Sequence, residues 1–402
     1  MVHVCDVNNF YSPTGGGVKT YHNHKMAYFK AHPELEYTLF QPDDHESIEH
    51  LAPNVRIVHF PGVAVDANYR YMLDVPRMGR LLKRFNPDIV EIGSPYLLPW
   101  IIHMANRGLN AALVGFWHAD YPRTYVQRPL GDIHPALGHM GHEAAWWYAR
   151  KTFERFHATF ASADCVIERL WQRGIPRIFQ TPLGVDIERF SPTHRDPELR
   201  RSVGADDDRP VFFFPHRLLE EKGLSALLSA WPKIYDAHQP ILVFAGVGPG
   251  KPKLDAFMAR QKDIHYLGYV KDPKLMAAWY ASSDAVFALS AFETFGLSAA
   301  EAMASGCALV AADAGAVEEF VTRADCGVLV PYNDADALAT QTISLLDSGH
   351  LGQAGRNAHT FANTHFNWDA AFDRMVAHYK EIADASSPQD LPPAPRRWQT
   401  GS

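Results

Sequence analysis

Two doubly wound α/β domains, each a parallel sheet covered by helices, are what this sequence predicts. Three observations predict them. The chain has 402 residues, longer than one ordinary core and suited to two domains of about 150–200 residues each. Short apolar runs alternate with longer amphipathic ones, the pattern of βαβ units. A stretch with turn residues and an acidic run, Pro182–Arg209, divides the alternation into two series.

In the first series the expected strands are Val2–Val7, Tyr37–Gln41, Val55–Phe60, Ile89–Gly93, Ala112–Phe116, Cys165–Ile167 and Ile178–Thr181. Helical patterns such as Val18–Ala31 and Met140–Phe160 lie between them. In the second series they are Val211–Phe214, Ile241–Ala245, Ile264–Leu267, Ala285–Ala288, Ala308–Ala311 and Gly327–Val330, with helices such as Leu224–Tyr235 and Pro273–Ala281. Two facing doubly wound domains would hold their ligand at the carboxyl ends of both sheets. We place the domains at 1–185 and 206–365, a helix over 366–385 crossing back to the first domain, and a disordered tail over 386–402 rich in Pro, Ser and Gln.

A net charge of −7 argues against a nucleic-acid partner, which usually calls for a basic excess. The four cysteines, Cys5, Cys165, Cys307 and Cys326, form no CxxC pair, and three sit in runs that read as strands. Buried free thiols in a reducing compartment are expected. The first residues lack a charged, long apolar leader, and no apolar run approaches the ~20 residues of a membrane helix. The expected location is therefore the cytoplasm, with peripheral contact to the inner face of the cell membrane.

Several motifs carry chemistry. After the first strand, Gly15, Gly16 and Gly17 precede a helix, a turn through which a backbone passes close to a phosphate; a plain tight turn is the alternative. The spacing is not GxGxxG, so no nicotinamide cofactor is indicated. Arg217 and Lys222 follow the strand Val211–Phe214 and suit a diphosphate, Arg as a fork and Lys as a point charge; the alternative is a solvated loop with Glu220 and Glu221 as partners. Gly246–Lys251 fails the Walker spacing and reads as a turn. Asp334 and Asp336 have a DxD form but open a helix, where Asp caps. No HExxH is present, and we expect neither a metal nor another cofactor. In Phe292–Gly306, Glu293 precedes a helix and Glu301 lies about one turn inside it among small apolar residues, placed to accept from paired hydroxyls such as those of a ribose; a first-turn Glu favoured by the helix dipole is the alternative.

These segments together resemble the retaining glycosyltransferases of family four, which have the GT-B fold of two facing Rossmann-like domains with an interdomain cleft. Glu293 and Glu301 match the family's Glu-x7-Glu motif. His216–Gly223 resembles its Gly-Arg-Leu-x3-Lys-Gly segment, and Thr181–Pro192 its Asn-Gly-Val-Asp segment. The likeness is strongest from Pro182 to Pro331. His216 stands in place of the usual Gly, Pro182-Leu183 where Asn often precedes Gly184, and Thr294 for a common Gly.

The resemblance implies roles. Glu301 would bind the ribose and Glu293 the donor-sugar hydroxyls. Arg217 and Lys222 would hold the diphosphate. The backbone of Phe295, Gly296 and Leu297 would meet sugar and phosphate, Gly15, Gly16 and Gly17 would approach the phosphate, Val270 would lie by the base, and His118 near the donor sugar. It also implies a metal-independent, retaining transfer of a hexose from a nucleotide-sugar donor, a UDP-sugar favoured over a GDP-sugar. For the acceptor, two stretches mix basic and aromatic residues, Asn68–Phe85 and Trp146–Lys151. Such residues can lie at an anionic membrane surface, which favours a membrane lipid such as a diacylglycerol over a soluble sugar or a lipid-linked glycan; ordinary amphipathic helices packing on the sheet are the alternative. The rival enzyme is a nucleotide-sugar epimerase on the same fold.

Overall fold

A computed structural model describes residues 2–11, 17–65, 70–206, 208–385 and 387–392. The chain divides into two compact units, Met1–Pro182 with Asp369–Ser402, and Leu183–Trp368.

In the first unit the strands are β1 (Val2–Val7), β2 (Leu35–Asp43), β3 (Ser47–Ala52), β4 (Val55–Pro61), the short pair β5 (Val63–Ala64) and β6 (Arg70–Tyr71), β7 (Ile89–Ile92), β8 (Ala112–Phe116), β9 (Ala158–Ala161) and β10 (Ile178–Gln180). Its helices are α1 (Gly17–Ala31), α2 (Val75–Phe85), α3 (Leu98–Ala105), α4 (Arg128–Ile133), α5 (Pro135–Phe153) and α6 (Asp164–Gln172). Eight strands form one sheet in the order β10-β9-β8-β7-β1-β2-β4-β3, parallel except for the edge hairpin of β3 with β4.

In the second unit α7 (Pro197–Ser202) is followed by β11 (Val211–Phe214), α8 (Leu224–His238), β12 (Ile241–Phe244), α9 (Lys251–Met258), β13 (Ile264–Tyr266), α10 (Pro273–Ser282), β14 (Ala285–Ala288), α11 (Leu297–Ala304), β15 (Ala308–Ala312), α12 (Ala316–Ala324), β16 (Gly327–Val330), α13 (Ala335–Asp347) and α14 (Leu351–His365). The sheet order is β13-β12-β11-β14-β15-β16, all parallel. The order reverses at β11 and β14, which is where a doubly wound sheet opens a crevice at its carboxyl edge. The last helix, α15 (Trp368–Asp384), belongs from Asp369 onward to the first unit.

The sequence reading errs in four places. The expected strand Cys165–Ile167 is part of α6, and the strand before it is β9, whose first residues fall within the helical pattern expected over Met140–Phe160. A four-residue run buried on both faces has no alternation, so apolar content alone cannot tell strand from helix. Cys165 is accordingly half-buried on a helix, while Cys5, Cys307 and Cys326 are buried free thiols. The presumed linker Pro182–Arg209 is, from Leu183 onward, built into the second unit: Arg200 of α7 is 2 % exposed and donates to Asp284 at 2.9 Å and to the carbonyls of Ser282, Asp206 and Arg209. Finally, the tail expected to be disordered contains a short 3₁₀ turn, Pro388–Asp390, capped by Ser387, and Leu391 after it is buried; residues 393–402 lie outside those described.

A buried charge cluster ties the first unit together. Lys25 of α1 is fully buried and faces Asp6 of β1 at 2.9 Å and Glu91 of β7 at 3.3 Å. It donates to Tyr379 of α15 at 2.7 Å, and Tyr379 in turn donates to Glu91. Tyr37 donates to Asp6 at 2.6 Å and Tyr21 to Glu91 at 2.9 Å. One ammonium cannot neutralise two carboxylates equally. Burial and the charge of Asp6 push Glu91 up to about 7. Burial acts to raise Asp6 as well, but the charge of Lys25 and the contacts of His22 and Tyr37 hold it below the usual range. Removing one partner of a buried set costs about 3–5 kcal/mol. Lys25→Met is therefore expected to lose stability of that order in urea unfolding at pH 7.5, and a loss below about 1 kcal/mol would show that the cluster is not holding these elements together.

Candidate functional site

In the second unit the chemistry-bearing side chains gather at the carboxyl ends of β11, β12 and β14. β11 ends in Pro215-His216-Arg217. His216 is buried and its Nε2 lies 2.8 Å from the Phe287 carbonyl of β14, with Nδ1 3.5 Å from Ser298 Oγ of α11. Burial, then the charge of Lys222, push it down to about 4, so it is a neutral strut between β11, β14 and α11. In the sequence the only signal of this strut is that His216 stands where the family usually has Gly.

Gly246, at the end of β12, has φ +132°, and a Cβ there would stand 2.2 Å from the His216 carbonyl oxygen. Gly250 N–H donates to the Leu218 carbonyl at 2.9 Å and Leu218 N–H to that of Val247 at 3.1 Å. The Gly246–Gly250 run is thus a packing turn that fixes the Arg217 loop, in agreement with its failed phosphate-loop spacing. Asp334 caps α13 through Ala337 N–H at 2.9 Å, and Asp336 pairs with Lys233 at 2.6 Å. The DxD pair is used structurally.

Lys222 reaches Glu293 in an ion pair, 71 residues apart in sequence, rather than its neighbours Glu220 and Glu221. Glu220 is engaged by Lys253 at 2.6 Å. Burial acts to raise Glu293, but the charge and hydrogen bond of Lys222, with His216 and Ser290, hold it below the usual carboxylate range. Arg217 is exposed and, among the described residues, its guanidinium has no hydrogen bond or ion pair.

The loop Phe292–Gly296 is anchored from below. Phe295 is buried against Phe320 and Phe366, each 5.3 Å away. Gly296 has φ +89°, a conformation that other residues adopt at a cost, and it opens α11 with no side-chain cap. The first amides of α11, at Leu297 and Ser298, are left for an acceptor. One turn further on, Glu301 accepts from Tyr280 OH at 3.1 Å. Burial pushes Glu301 up to about 7, against the lowering effect of Tyr280 and of the Arg189 charge. Val270 is half-buried in the loop after β13.

In the first unit His118 follows β8. It stacks on Phe116 at 4.0 Å and meets the edge of Tyr21 at 5.3 Å. Burial, then the charge of His22, push it down to about 3, so its imidazole is neutral. Gly17 is the exposed first residue of α1; Gly15 and Gly16 lie outside the described residues. Of the two basic-aromatic stretches, the first includes Asn68, also outside them. Arg70 there pairs with Asp44, and Arg77 with Glu46 at 3.3 Å and Asp74 at 3.4 Å, leaving Arg80, Lys83 and Arg84 exposed. In the second, Trp146 is turned inward onto Trp117 at 5.4 Å and Tyr148 donates to the Tyr96 carbonyl; Trp147 faces out. Exposed apolar side chains instead run along α4 and α5, at Ile133, Leu137, Met140 and Trp147. No helix among the described residues is long and apolar enough to cross a membrane.

Residues 15–189 match the family Glycosyltransferase Family 4, and residues 195–360 match Glycosyl transferases group 1. A GDP-mannose-dependent alpha-mannosyltransferase of Mycolicibacterium smegmatis is 30 % identical over 311 residues, 76 % of this chain and 77 % of that one. The chain belongs to the group 1 glycosyltransferases. A GDP-mannose-dependent alpha-(1-6)-phosphatidylinositol dimannoside mannosyltransferase of Mycobacterium tuberculosis is 26 % identical over 384 residues, 94 % of this glycosyltransferase and 95 % of the relative. Sucrose-phosphate synthase from Thermosynechococcus elongatus, at 17 % identity, superposes with a TM-score of 0.78 over 96 % of this chain and all of its own. The fold is GT-B.

The high proton affinity of Glu301 has a consequence for this glycosyltransferase. Its carboxyl rises from 4.5 in the unfolded chain to about 7 in the folded one. Between those values the folded state holds a proton that the unfolded state has released, so stability falls as pH rises through that window. Glu301→Gln keeps the shape without the charge. We expect urea unfolding to show the variant gaining about 1–3 kcal/mol on the wild type between pH 5 and pH 8. Equal pH slopes in the two proteins would contradict a half-buried, proton-retaining Glu301.

Proposed function

We propose that this glycosyltransferase moves a hexose, with retention, from a nucleoside diphosphate donor to a hydroxyl of a membrane lipid. The observation that carries the donor side is one edge of one sheet where Arg217, the Lys222–Glu293 pair, the uncapped start of α11 and Glu301 come together. Glu301 accepts the ribose hydroxyls, and Val270 lies by the base. Arg217 and the Leu297 and Ser298 amides receive the diphosphate. Lys222 exchanges Glu293 for that diphosphate, which frees Glu293 to accept from the sugar. The family resemblance assigns Gly15, Gly16 and Gly17 to the phosphate and His118 to the sugar.

The chemistry asks for stabilisation of negative charge as the bond between the anomeric carbon and the phosphate oxygen breaks. Fixed cations and helix amides provide it without reorganising, and no metal or other cofactor enters this reading. The acceptor oxygen bonds to the anomeric carbon on the face the phosphate leaves, and the departing phosphate oxygen takes the acceptor's proton. Two relatives are named for GDP-mannose, which moves the preferred donor from a UDP-sugar to GDP-mannose. One of them is named for a phosphatidylinositol dimannoside, which supports a lipid acceptor. The enzyme then works at the inner face of the cell membrane.

Transfer should release GDP from GDP-mannose only when a lipid acceptor is added, and Arg217→Ala should lower kcat about 10²-fold with a smaller change in KM. No release of GDP with any acceptor, alongside interconversion of the donor sugar, would favour the epimerase. Faster turnover of UDP-glucose would restore the UDP preference.

For the membrane, Trp147 of the Trp146–Lys151 stretch acts with Ile133, Leu137 and Met140 of α4 and α5, and Arg80, Lys83 and Arg84 add attraction of about 1 kcal/mol each to anionic lipid. Ile133→Ser, Met140→Ser and Trp147→Ser together should release the protein from anionic liposomes, while neutralising the three cations should only steepen its loss with salt. Undiminished sedimentation of the triple Ser variant removes the membrane reading of these helices.

A further inference from the structure

Tyr280 stands in the last turn of α10 and is fully buried. Its ring meets Phe213 of β11 at 5.3 Å and Phe190 at 5.6 Å, each edge to face, and its carbonyl accepts from the Cys307 thiol at 2.9 Å. Ring and backbone are thereby fixed, and the hydroxyl has one direction. It donates to Glu301 Oε2 at 3.1 Å. Burial, then the charge of Glu301, push the phenol well above its ordinary range, so it keeps its proton and remains a donor. Glu301 itself is half-buried, and its Oε1 has no hydrogen-bond partner among the described residues. A carboxylate offers about four acceptor positions, and Tyr280 uses one.

The elements packed on α11 are α10, α14, β14 and β15. The two strands are built of Ala, Val, Leu and Phe and bring nothing that titrates. α14 brings His359, which is taken up by the Ala304 carbonyl at 2.7 Å. The segment that carries Phe190 also carries Arg189, paired with Asp186 at 3.2 Å, and its charge lowers Glu301 by less than Tyr280 does. Lys222 is engaged by Glu293.

We propose that Tyr280 is a positioning residue for the donor: its hydroxyl holds one oxygen of Glu301 so that the other meets the ribose hydroxyls, and by favouring the carboxylate it sets the pH below which the donor is released. This rests on the reading of Glu301 as the ribose acceptor. Hydroxyls donate more strongly to a carboxylate than to a carboxylic acid. Burial pushes Glu301 up to about 7, and the Tyr280 hydroxyl opposes that rise. Donor affinity therefore increases as pH rises through that value, the same window in which the folded state loses stability. Tyr280→Phe keeps the ring between Phe190 and Phe213 but leaves burial less opposed, so its Glu301 gives up the proton only at higher pH.

Calorimetric titration of the full chain with GDP-mannose and with UDP-glucose, from about pH 5.5 to 9, tests this, because a diphosphate esterified at both ends does not titrate there. Affinity for the better donor should rise about tenfold per pH unit below the midpoint and level off above it. At the acid end binding should release a proton, read from the heat in buffers of different ionisation enthalpy; this measurement needs no variant. In Tyr280→Phe, shown to be folded by circular dichroism, the midpoint should move up by about one pH unit, so that affinity at about pH 6 falls roughly tenfold. The loss should fall on KM rather than on kcat, since the ribose is remote from the bond that breaks. Glu301→Gln should bind weakly and without pH dependence. A Tyr280→Phe midpoint equal to that of the wild type, with Glu301→Gln flat, overturns the role of Tyr280 alone. Wild-type affinity that is flat over the range, with no proton released, also overturns it. A pH profile that survives in Glu301→Gln, or binding of neither donor to the wild type, removes Glu301 as the ribose acceptor and this inference with it.

Discussion

The second sheet is parallel throughout, and that constraint decides where its chemistry can occur. A parallel sheet must be covered on both faces, because each strand returns through a helix that packs on it. The faces are filled by such residues as Phe212, Phe214, Trp231 and Phe287. Only the strand ends remain for polar groups. At the carboxyl ends of β11 and β14, where the order reverses, the loops separate and the helix starts point inward. Arg217, Lys222, Glu293 and the amides of α11 are therefore neighbours through topology, although up to about eighty residues of chain lie between them.

Within that edge, two carboxylates eight residues apart meet opposite fates. Glu293 stands in the loop beside Lys222, and a nearby ammonium more than offsets its desolvation. Glu301 stands one turn inside α11, where its nearest partner is a neutral phenol, and desolvation prevails. One acid is held charged and the other is poised near neutrality. The first unit repeats the logic more severely: Lys25 shared between Asp6 and Glu91 leaves one carboxylate low and the other high. In both units the position of a single lysine ammonium sorts the acids.

Close approach of backbone is the other recurring device. Gly246 lets one loop lie against the His216 carbonyl, and Gly184 lies so near Trp368 that a Cβ would come within 2.5 Å of its ring. Val185 N–H donates to the Phe366 carbonyl at 2.6 Å. The two places where the chain enters and leaves the second unit are thus stitched to each other inside that unit.

Much of this was legible in the residues alone. The alternation of short apolar runs with amphipathic stretches determined two α/β series, because burial of a pleated sheet and of a helix stripe leave different periods. The order of the motifs around Arg217, Glu293 and Glu301 determined the family and the side chains at the strand ends. Local chemistry also determined Asp334 as a cap. Tertiary structure alone decided the rest. Whether Phe160 or Cys165 lay in a strand turned on which run found a parallel neighbour, which apolar content does not encode. Whether Lys222 would answer to Glu221 or to Glu293, and whether Trp146 or Trp147 would face solvent, depended on partners supplied by distant strands and helices. A side chain's charge and exposure are set by everything folded around it, and sequence specifies those neighbours only through the fold.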